Sequence, residues 1–324
     1  MLTVQIEGYG KPWEVVQAVE VDELPAPKEG QIKIQTLAAP IHPADLLMMR
    51  GLYGKRPKLP VAMGAEGVAV VVEVGPGVAM KPGERVIIPY GNDTWSERLT
   101  VTAQDAVRVP DGLDDAQASM AIINPLTARL MLTEFVSLTP GEFVIQNAAN
   151  SGVGRAVIAI AQARGLRTVN VVRRPELADE LKQAGGDIVL LEGPDLPKRV
   201  LESSQRANIR LGLDGVAGEA TRSLTGALAE GGTLVVDAGM SAQPGAAFPP
   251  HFIFRDLTLR GFWLIKWFSN AAPEVVQRIQ QELMPLLVSG ANKAPIEATF
   301  PLSEAKEAVS CAAKAKGKVL FRAA

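Results

Sequence analysis

The residues of this chain that could do chemistry begin with a run of small and amide side chains at 146–154. The run follows a short apolar stretch, 143–145, and opens a helix-like stretch, 155–163, with Ala, Val and Ile on one face. A second apolar stretch comes next, at 167–172. The order strand, small-residue turn, helix, strand places a pyrophosphate on a helix N-terminus. The pattern therefore predicts a dinucleotide site at this turn.

The turn departs from the usual glycine fingerprint of that unit, G-x-G-x-x-G. In the matching frame only the last glycine is in place, and Ala and Ser stand at the other two positions. Both are small enough for a backbone to approach a phosphate, and we expect the N–H groups of Gly152, Val153 and Gly154 to face it. Tight packing of a helix on a strand through the two glycines is the alternative. The complete strand–helix–strand unit favours the nucleotide site. The frame reads Ala149-Asn150-Ser151-Gly152-Val153-Gly154.

Two arginines, Arg173 and Arg174, end the second strand of this unit. Positive charge at that place suits a cofactor with an extra ribose phosphate, whereas an acidic residue would suit NAD. No Asp or Glu stands at the strand end, and Glu176 comes three residues after Arg173. The pair therefore predicts NADPH as the cofactor, with a solvated pair of charges as the alternative interpretation.

Composition limits the remaining possibilities. The 324 residues are 47% hydrophobic, enough for two domains or one large one. A net charge of -2 without a basic run gives no reason to expect nucleic acid or a membrane surface. The single cysteine, Cys311, excludes an internal disulfide framework and a cysteine-cluster zinc site. Residues 1–6 alternate like a strand rather than a signal peptide, so we expect a reducing, cytoplasmic compartment.

The elements that must position these residues fall into two groups. The first third predicts strands separated by Pro and Gly turns, and the chain from 143 onward alternates strands and helices, as in a parallel, doubly wound α/β sheet. The early strands are predicted at 15–21, 31–36, 65–74, 84–89 and 97–102, and helices at 116–122 and 126–135. The six sheet strands are predicted at 143–145, 168–172, 188–191, 209–213, 232–237 and 257–262. A helix at 273–288, strands at 295–300 and 318–321, and a helix at 304–315 are expected to return to the first domain.

The chain resembles a known family essentially from end to end, and four segments carry the closest likeness. It resembles the medium-chain dehydrogenase/reductase superfamily, and within it the 2-enoyl thioester reductases of the mitochondrial type, with quinone oxidoreductases as near relatives. The resemblance implies a β-rich GroES-like catalytic domain at 1–122 and 266–324 and an NADPH-binding Rossmann domain at 123–265. The segments are Ala39-Pro40-Ile41-His42-Pro43-Ala44-Asp45, Asn124-Pro125-Leu126-Thr127-Ala128, residues 144–154, and Leu259-Arg260-Gly261-Phe262-Trp263-Leu264.

No zinc is expected, although many members of this superfamily use it. Zinc alcohol dehydrogenases carry a Gly-His-Glu motif where this chain reads Gly64-Ala65-Glu66. Their structural cysteine cluster is also missing, and His42 and His251 are the only histidines. Two histidines are too few for a His-based site without several carboxylates.

The resemblance implies a proton donor at Tyr53, which stands on a Gly-flanked loop. A phenol stays protonated at neutral pH and can donate a proton when an enoyl thioester accepts a hydride. A tyrosine that only packs its ring is the alternative. His42 and Asp45 could orient the loop that bears Tyr53, or serve the structure alone.

The same resemblance implies further contacts with the cofactor. Asn124 would touch the nicotinamide or its ribose, and it could also cap the helix that follows. Residues Ala238-Gly239-Met240 would pass under the nicotinamide, and Lys318 matches a lysine used at the cofactor. Phe262-Trp263-Leu264 would border the cofactor at the end of the sixth strand.

Three functions stay open on the sequence. The first is an NADPH-dependent 2-enoyl thioester reductase, the second an NADPH quinone oxidoreductase, and the third a non-catalytic protein that binds NADPH as a structural or redox-sensing element. A homodimer is also expected, because the apolar stretch 257–264 comes last in the sheet and an exposed edge invites pairing with a second copy.

Overall fold

The computed structural model describes residues 1–322, and the chain divides into two compact units. Unit 1 comprises Met1–Ile123, Pro273–Val288 and Lys293–Ala324, and unit 2 comprises Asn124–Ala272 and Ser289–Asn292. The predicted boundaries divide the chain by function into a catalytic and an NADPH-binding domain, and this division stays a prediction.

The strands of the described residues are β1 (Leu2–Ile6), β2 (Val16–Glu20), β3 (Gln31–Pro40), β4 (Val61–Ala62), β5 (Gly67–Val74), β6 (Arg85–Ile88), β7 (Arg98–Thr102), β8 (Val107–Arg108), β9 (Phe143–Gln146), β10 (Arg167–Val172), β11 (Ile188–Leu191), β12 (Leu211–Asp214), β13 (Thr233–Val236), β14 (Thr258–Gly261), β15 (Ile296–Phe300) and β16 (Lys318–Arg322). The α-helices are α1 (Pro12–Val15), α2 (Pro43–Met49), α3 (Asp115–Ala118), α4 (Ile123–Met131), α5 (Gly152–Ala163), α6 (Leu177–Gln183), α7 (Leu196–Ser203), α8 (Glu219–Ala227), α9 (Pro249–Arg255), α10 (Leu264–Phe268), α11 (Pro273–Val288) and α12 (Ala305–Ala312). No helix within residues 1–322 has the length and apolar character that crossing a bilayer requires.

Unit 1 is built around two β-sheets. The smaller has the order β2-β1-β4, and the larger has the order β15-β16-β3-β5-β6-β8, with β7 paired to β3. In β3, Ile32 and Ile34 are fully buried and the residues between them are less so, which is the two-residue period of a strand with one face on a core. The rings of Trp95 and Phe321 meet edge to face at 5.0 Å in a second cluster. The predicted β-rich domain is therefore confirmed.

Unit 2 is a single parallel sheet with the order β11-β10-β9-β12-β13-β14. Its central strands β9 and β12 are buried at every residue, as expected for strands covered on both faces. The sheet order places β9 beside β12, where successive connections turn to opposite sides of the sheet. In doubly wound folds ligands bind at this place, outside the carboxyl ends of the strands. The predicted doubly wound Rossmann sheet is confirmed.

Two helices begin or end away from their predicted bounds. The helix expected at 116–122 is the short α3, whose N-cap Asp114 accepts a hydrogen bond from Gln117 N at 2.9 Å. The helix expected at 126–135 is α4, which already begins at Ile123. Pro125 is tolerated there because the first turn of a helix has no intrahelical use for its N–H groups.

Candidate functional site

The turn between β9 and α5 has the tight geometry that its small residues predict. Ala148 adopts the left-handed backbone region, with φ of 47°. Ser151 caps α5, and its Oγ accepts a hydrogen bond from Gly154 N at 3.1 Å. A Cβ at Gly154 would lie 2.6 Å from the carbonyl oxygen of Ala149, closer than any real side chain allows. The last glycine of the fingerprint therefore lets the helix begin directly against the turn.

The cap at Ser151 changes which backbone groups a pyrophosphate could use. Because Gly154 N already donates to Ser151 Oγ, it is not the free donor that the sequence suggested. Gly152 and Val153 stand in the first helical turn, where N–H groups lack intrahelical acceptors. An anion at this turn would therefore meet these two amides first, and their role at a cofactor stays a prediction. Arg155 Nε steadies the preceding residue by donating to the carbonyl oxygen of Asn150 at 3.2 Å.

Asn124 lies directly against this turn. A Cβ at Gly152 would sit 2.5 Å from Asn124 Nδ2, so the structure brings these two predicted cofactor residues together. The expectation that Asn124 caps a helix is wrong, because α4 begins one residue earlier and places Asn124 within its first turn. Asn124 is buried, and its contact with the cofactor stays a prediction.

Two buried amide side chains, neither of them predicted as functional, stabilise this turn through hydrogen bonds. Gln146 Nε2 donates to the carbonyl oxygen of Gly154 at 2.9 Å and to Asn170 Oδ1 at 2.8 Å. Asn170 Nδ2 in turn donates to Thr168 Oγ1 at 2.8 Å. These bonds join β9, β10 and the start of α5. The signal in the sequence was an amide side chain within each of two otherwise apolar strands.

A second network joins the ends of the strands on either side of the sheet reversal. Asn147 Nδ2 donates to Asp214 Oδ1 at 2.7 Å, and Asn147 Oδ1 accepts from Gly215 N at 2.8 Å. Asp214 is fully buried and also accepts from Val216 N and Thr221 Oγ1. Side-chain hydrogen bonds thus fix the backbone at the carboxyl ends of β9 and β12, where the sheet order reverses. Sequence reasoning missed Asp214, which only its place at a strand end could have signalled.

Ala238, Gly239 and Met240 follow β13 on an exposed turn, as expected. Met240 N donates to the carbonyl oxygen of Gly215 at 3.1 Å, which ties this turn to the end of β12. Asp237, immediately before the turn, places Oδ1 3.6 Å from the site of a Cβ on Gly215. Burial, together with the nearby carboxyl of Asp214, raises the pKa of Asp237 to about 7. This carboxyl group at the carboxyl edge of the sheet was not predicted.

The remaining predicted cofactor residues of unit 2 lie just beyond their strands. Strand β10 ends at Val172, so Arg173 and Arg174 follow it instead of ending it. Arg173 is exposed, and Arg174 Nη1 lies 3.7 Å from Glu176 Oε1, a long and exposed contact that leaves it available to a phosphate.

The residues expected to end the sixth strand do not belong to it. Strand β14 ends at Gly261, so Phe262 and Trp263 lie beyond the strand and Leu264 begins α10. The Phe262 ring meets Phe135 edge to face at 6.1 Å. Every residue of β14 is exposed, so this strand is a free edge and not a core strand.

In unit 1, Tyr53 lies half-buried on the loop that follows α2. Gly51 starts the loop with φ of 68°, and Tyr9 Oη donates to the carbonyl oxygen of Pro57 at 2.6 Å. Tyr90 stands near Tyr53: burial, and then the charge on a Tyr53 phenolate, raise the pKa of Tyr90 above its ordinary value. The phenol groups of Tyr53 and Tyr90 therefore lie near each other in unit 1.

A buried cluster of charged groups lies near these phenols in unit 1, since the carboxylates of Asp45 and Glu66 also raise the pKa of Tyr90. His42 Nε2 lies 2.8 Å from Glu66 Oε1, and Lys318 Nζ lies 3.3 Å from His42 Nδ1. The other oxygen of Glu66 accepts the N–H groups of Ile122 and Ile123, at 2.9 and 2.8 Å. Burial lowers the pKa of Lys318, and the carboxylate of Glu66 opposes that change. Lys318 is thus held on His42 in unit 1.

His42 and Asp45 also start helix α2. His42 N donates to Asp45 Oδ2 at 2.7 Å, which forms a capping box. Burial raises the pKa of Asp45. Because Tyr53 follows α2 along the chain, the two residues fix the helix that leads into its loop.

The donor set of unit 1 does not fit a zinc ion. Both nitrogens of His42 face other side chains, one of them the ammonium of Lys318, and a cation beside the imidazole opposes a second cation there. His251 lies in unit 2, where its Nδ1 is 2.9 Å from Thr225 Oγ1. No group of three or more His, Cys, Asp or Glu within residues 1–322 is arranged to hold a metal.

Two family models match the chain. The Alcohol dehydrogenase GroES-like domain matches residues 28–111, and the Zinc-binding dehydrogenase family matches residues 152–281. The description of the second names a metal, although the donors just described do not fit one.

The chain is also similar to proteins along its whole length. The mitochondrial enoyl-[acyl-carrier-protein] reductase of Rattus norvegicus is 40% identical over 319 residues, which cover 94% of this chain and 84% of the relative. An enoyl thioester reductase from Candida tropicalis, solved in a mutant form, superposes with a TM-score of 0.88 at 25% identity, covering 99% of both chains. A provisionally named NADPH:quinone reductase from Bacillus thuringiensis superposes with a TM-score of 0.90 at 26% identity, covering 100% of this chain and 99% of that one. A mycobacterial protein complexed with NADPH gives a TM-score of 0.84 at 26% identity, covering 99% of this chain and 100% of that one.

The expectation of a cytoplasmic compartment is wrong on this comparison, because the relatives at 40% identity are named as mitochondrial enzymes. The expectation relied on the strand-like alternation of residues 1–6 and on the single cysteine, and a single cysteine fits any reducing compartment.

The parallel sheet, its small-residue turn and 40% identity over nearly the full length agree with one another. The chain belongs to the enoyl thioester reductase family of the medium-chain dehydrogenase/reductase superfamily.

Proposed function

We propose that this protein reduces the carbon–carbon double bond of a trans-2-enoyl thioester and uses NADPH as its cofactor. The observation that carries the proposal is the turn after β9, where Asn124 lies against Gly152 and the buried amides beneath hold the backbone in place. Family membership supports the substrate class, and the NADPH complex of a structural neighbour supports the cofactor.

Unit 2 offers backbone amides and arginines, which are the kinds of group that bind the phosphates of a dinucleotide. The amides of Gly152 and Val153 would hold the pyrophosphate, with Asn150 and Ser151 shaping the turn. Arg173 and Arg174 would hold the ribose phosphate through charge-assisted hydrogen bonds.

Other residues would meet the nicotinamide end. We assign Asn124, the turn Ala238-Gly239-Met240 and the segment Phe262-Trp263-Leu264 to that end, together with Lys318 of unit 1. In this division, residues 123–265 bind NADPH, and residues 1–122 and 266–324 serve catalysis.

When bound, NADPH supplies the hydride that reaches the β-carbon of the enoyl thioester. Negative charge then develops on the thioester oxygen, and a proton must reach the α-carbon. Tyr53 holds that proton on Oη, because a phenol is protonated at neutral pH. No step requires a metal, in keeping with the donor set of the described residues.

Quinone reduction is the second candidate, because the Bacillus thuringiensis neighbour superposes with a TM-score of 0.90. A quinone accepts hydride equally well but can take its protons from water. The two candidates therefore share the cofactor site and differ in their need for Tyr53.

Oxidation of NADPH with a crotonyl thioester and with a small quinone distinguishes the two candidates. We expect rapid oxidation with the thioester and slow oxidation with the quinone. Reduction of the quinone alone would move the second candidate ahead, and oxidation with neither acceptor would favour a protein that binds NADPH without catalysis.

We also propose that the protein forms a homodimer. All four residues of β14 are exposed, and Leu259 and Trp263 add exposed apolar surface at the same edge. An edge strand of this kind pairs with a second strand unless something covers it. A two-fold axis beside β14 would close the edge with an identical strand.

A further inference from the structure

The loop around Tyr53 is strongly basic. Residues 50–58 carry four basic side chains, Arg50, Lys55, Arg56 and Lys58, and no acidic one. We call this segment the basic loop. The whole chain has a net charge of -2, so the concentration of positive charge is local and is hidden in the total. Charge of one sign gathered at one place raises the local concentration of partners of the opposite sign.

Within the described residues, none of the four cations has a carboxylate within ion-pair distance. The nearby Lys11 is paired, with Nζ 2.9 Å from Glu14 Oε1. The charge of Lys55 acts on Asp93, where it opposes the rise that burial causes in the pKa of that carboxyl. All four side chains are exposed. A solvated charged surface usually mixes both signs, whereas residues 50–58 contain no acidic residue of their own.

The basic loop is also partly fixed in place. The Arg56 guanidinium lies over the Tyr9 ring, 5.1 Å from its centroid, and packs against Gly51. A fixed loop loses less conformational entropy when a partner binds.

An exposed apolar residue stands among these charges. Leu52 is 71% exposed, and its N–H donates to the carbonyl oxygen of Leu47, which is itself 38% exposed. Apolar residues at the centre with charged residues at the rim are the usual arrangement of a protein–protein interface. A free phosphate would need donors that converge on one point, whereas these four cations are spread along a loop.

We propose that the basic loop is the docking surface for an acidic protein that carries the acyl group as a thioester. The inference rests on the proposed function, because the loop also holds Tyr53, the residue assigned as proton donor. A carrier that docks around Leu52 would bring its thioester arm to the residue that must reach it. Arg50, Lys55, Arg56 and Lys58 would pair with carboxylates of the carrier, and Leu52 would bury its side chain in the interface.

The test supplies one crotonyl group on three carriers: an acidic acyl carrier protein, coenzyme A and N-acetylcysteamine. The variant is Lys55→Glu with Lys58→Glu, which leaves Tyr53 and Arg56 unchanged. The matched control is Lys28→Glu with Lys81→Glu, two exposed lysines of the same unit with the same change of charge. The kcat and KM for each carrier are measured at low and high salt.

We expect the variant to lose about tenfold or more in kcat/KM with the carrier protein, mainly through KM, and to lose its salt dependence. The control and the N-acetylcysteamine thioester should change by less than about twofold. A second variant, Leu52→Ser, should lower kcat/KM only with the carrier protein.

An equal loss with all three carriers would mean damage to the Tyr53 loop and would overturn the proposal. A loss confined to coenzyme A would indicate that the surface binds phosphate groups instead. No loss relative to the control would indicate that the surface is only solvated. If the unmodified protein reduces none of the thioesters, the proposed function itself fails. Titration of the carrier protein onto the unmodified and variant chains then decides whether the surface binds it.

Discussion

At the scale of single residues, the proposed chemistry depends on the hydroxyl of Tyr53. Replacing it by Phe removes one oxygen from an ordered loop, so the fold and the NADPH affinity should stay unchanged. Turnover of an enoyl thioester should fall by about 10²–10⁴-fold, the usual contribution of a general acid. Quinone reduction should fall much less. The measurement is single-turnover kinetics with both acceptors, and full retention of thioester turnover would exclude Tyr53 as the acid.

The choice of cofactor should depend on Arg173 and Arg174. Changing both to Ala should weaken NADPH binding about tenfold or more and leave NADH binding nearly unchanged, because each charged contact to phosphate contributes about 1.5–3 kcal/mol. Fluorescence titration with both cofactors provides the measurement. Lys182→Ala with Arg206→Ala removes the same charge from exposed positions of unit 2 and should have no effect. Equal affinity of the unmodified protein for NADPH and NADH would contradict the assignment.

Asp237 should make stability depend on pH. Its pKa is about 7 in the folded chain and about 3.9 in an unfolded one, so between these values the folded state holds the extra proton. The free energy of unfolding therefore falls as pH rises through this window. The loss is complete above about pH 7 and is at most about 4 kcal/mol, less because the side chain is partly exposed.

Asp237→Asn removes that titration. Relative to the unmodified protein, the variant should gain stability between about pH 5 and about pH 8, as urea unfolding at the two pH values will report. Asp179→Asn, at an exposed position of the same unit, is the control. A difference that stays constant across the two pH values would show that Asp237 does not titrate in this range.

At the scale of elements, Glu66 connects strand and helix in unit 1. It accepts two backbone N–H groups just before Asn124 and also contacts His42. Glu66→Ala removes the partner of the two N–H groups and of His42 Nε2 and should cost about 3 kcal/mol or more in the free energy of unfolding. Glu66→Gln keeps the shape and one oxygen, so its loss should be clearly smaller. Urea denaturation measures the free energy of unfolding of both variants. Equal losses would mean that the hydrogen bonds to Glu66 do not account for its contribution to stability.

Elements with a strong local pattern were predictable from the sequence, and long-range polar contacts were not. The six parallel strands follow from apolar runs, and α11 has the bounds that its period predicts. Helix α2 was missed because it is short and is fixed by the capping box of His42 and Asp45. The bond between Asn147 and Asp214 joins residues far apart in sequence. Each of these residues alone resembles an ordinary polar residue at the end of a strand, so only the sheet order reveals the pair.

At the scale of the whole molecule, the exposed edge β14 predicts the oligomeric state. Light scattering at micromolar concentration should give the mass of a dimer. Leu259→Glu should shift the protein towards a monomer, because Leu259 is 43% exposed on that strand and a charge opposes pairing. Leu201→Glu is the matched control, since Leu201 is 41% exposed on α7 of the same unit. A monomeric mass for the unmodified protein would contradict the proposal.

The whole-molecule function also depends on how charge is distributed. Composition alone gave no reason to expect nucleic acid or a membrane surface, because the four cations of the basic loop disappear in a total of -2. The structure shows these cations exposed, without a carboxylate at ion-pair distance within residues 1–322, and on the same loop as the exposed Leu52.

Each unit contains a single histidine, His42 in unit 1 and His251 in unit 2. With ¹⁵N-labelled histidine, the NMR spectrum of the imidazoles would therefore contain two sets of resonances, one from each unit. Burial and the cations Arg255 and Arg222 lower the pKa of His251, so its signal should titrate at lower pH than that of a free imidazole. The His42 signal should respond to changes at Lys318 and Glu66. Two resonances would thus let ligand binding to each half of the protein be followed separately, without any engineered label.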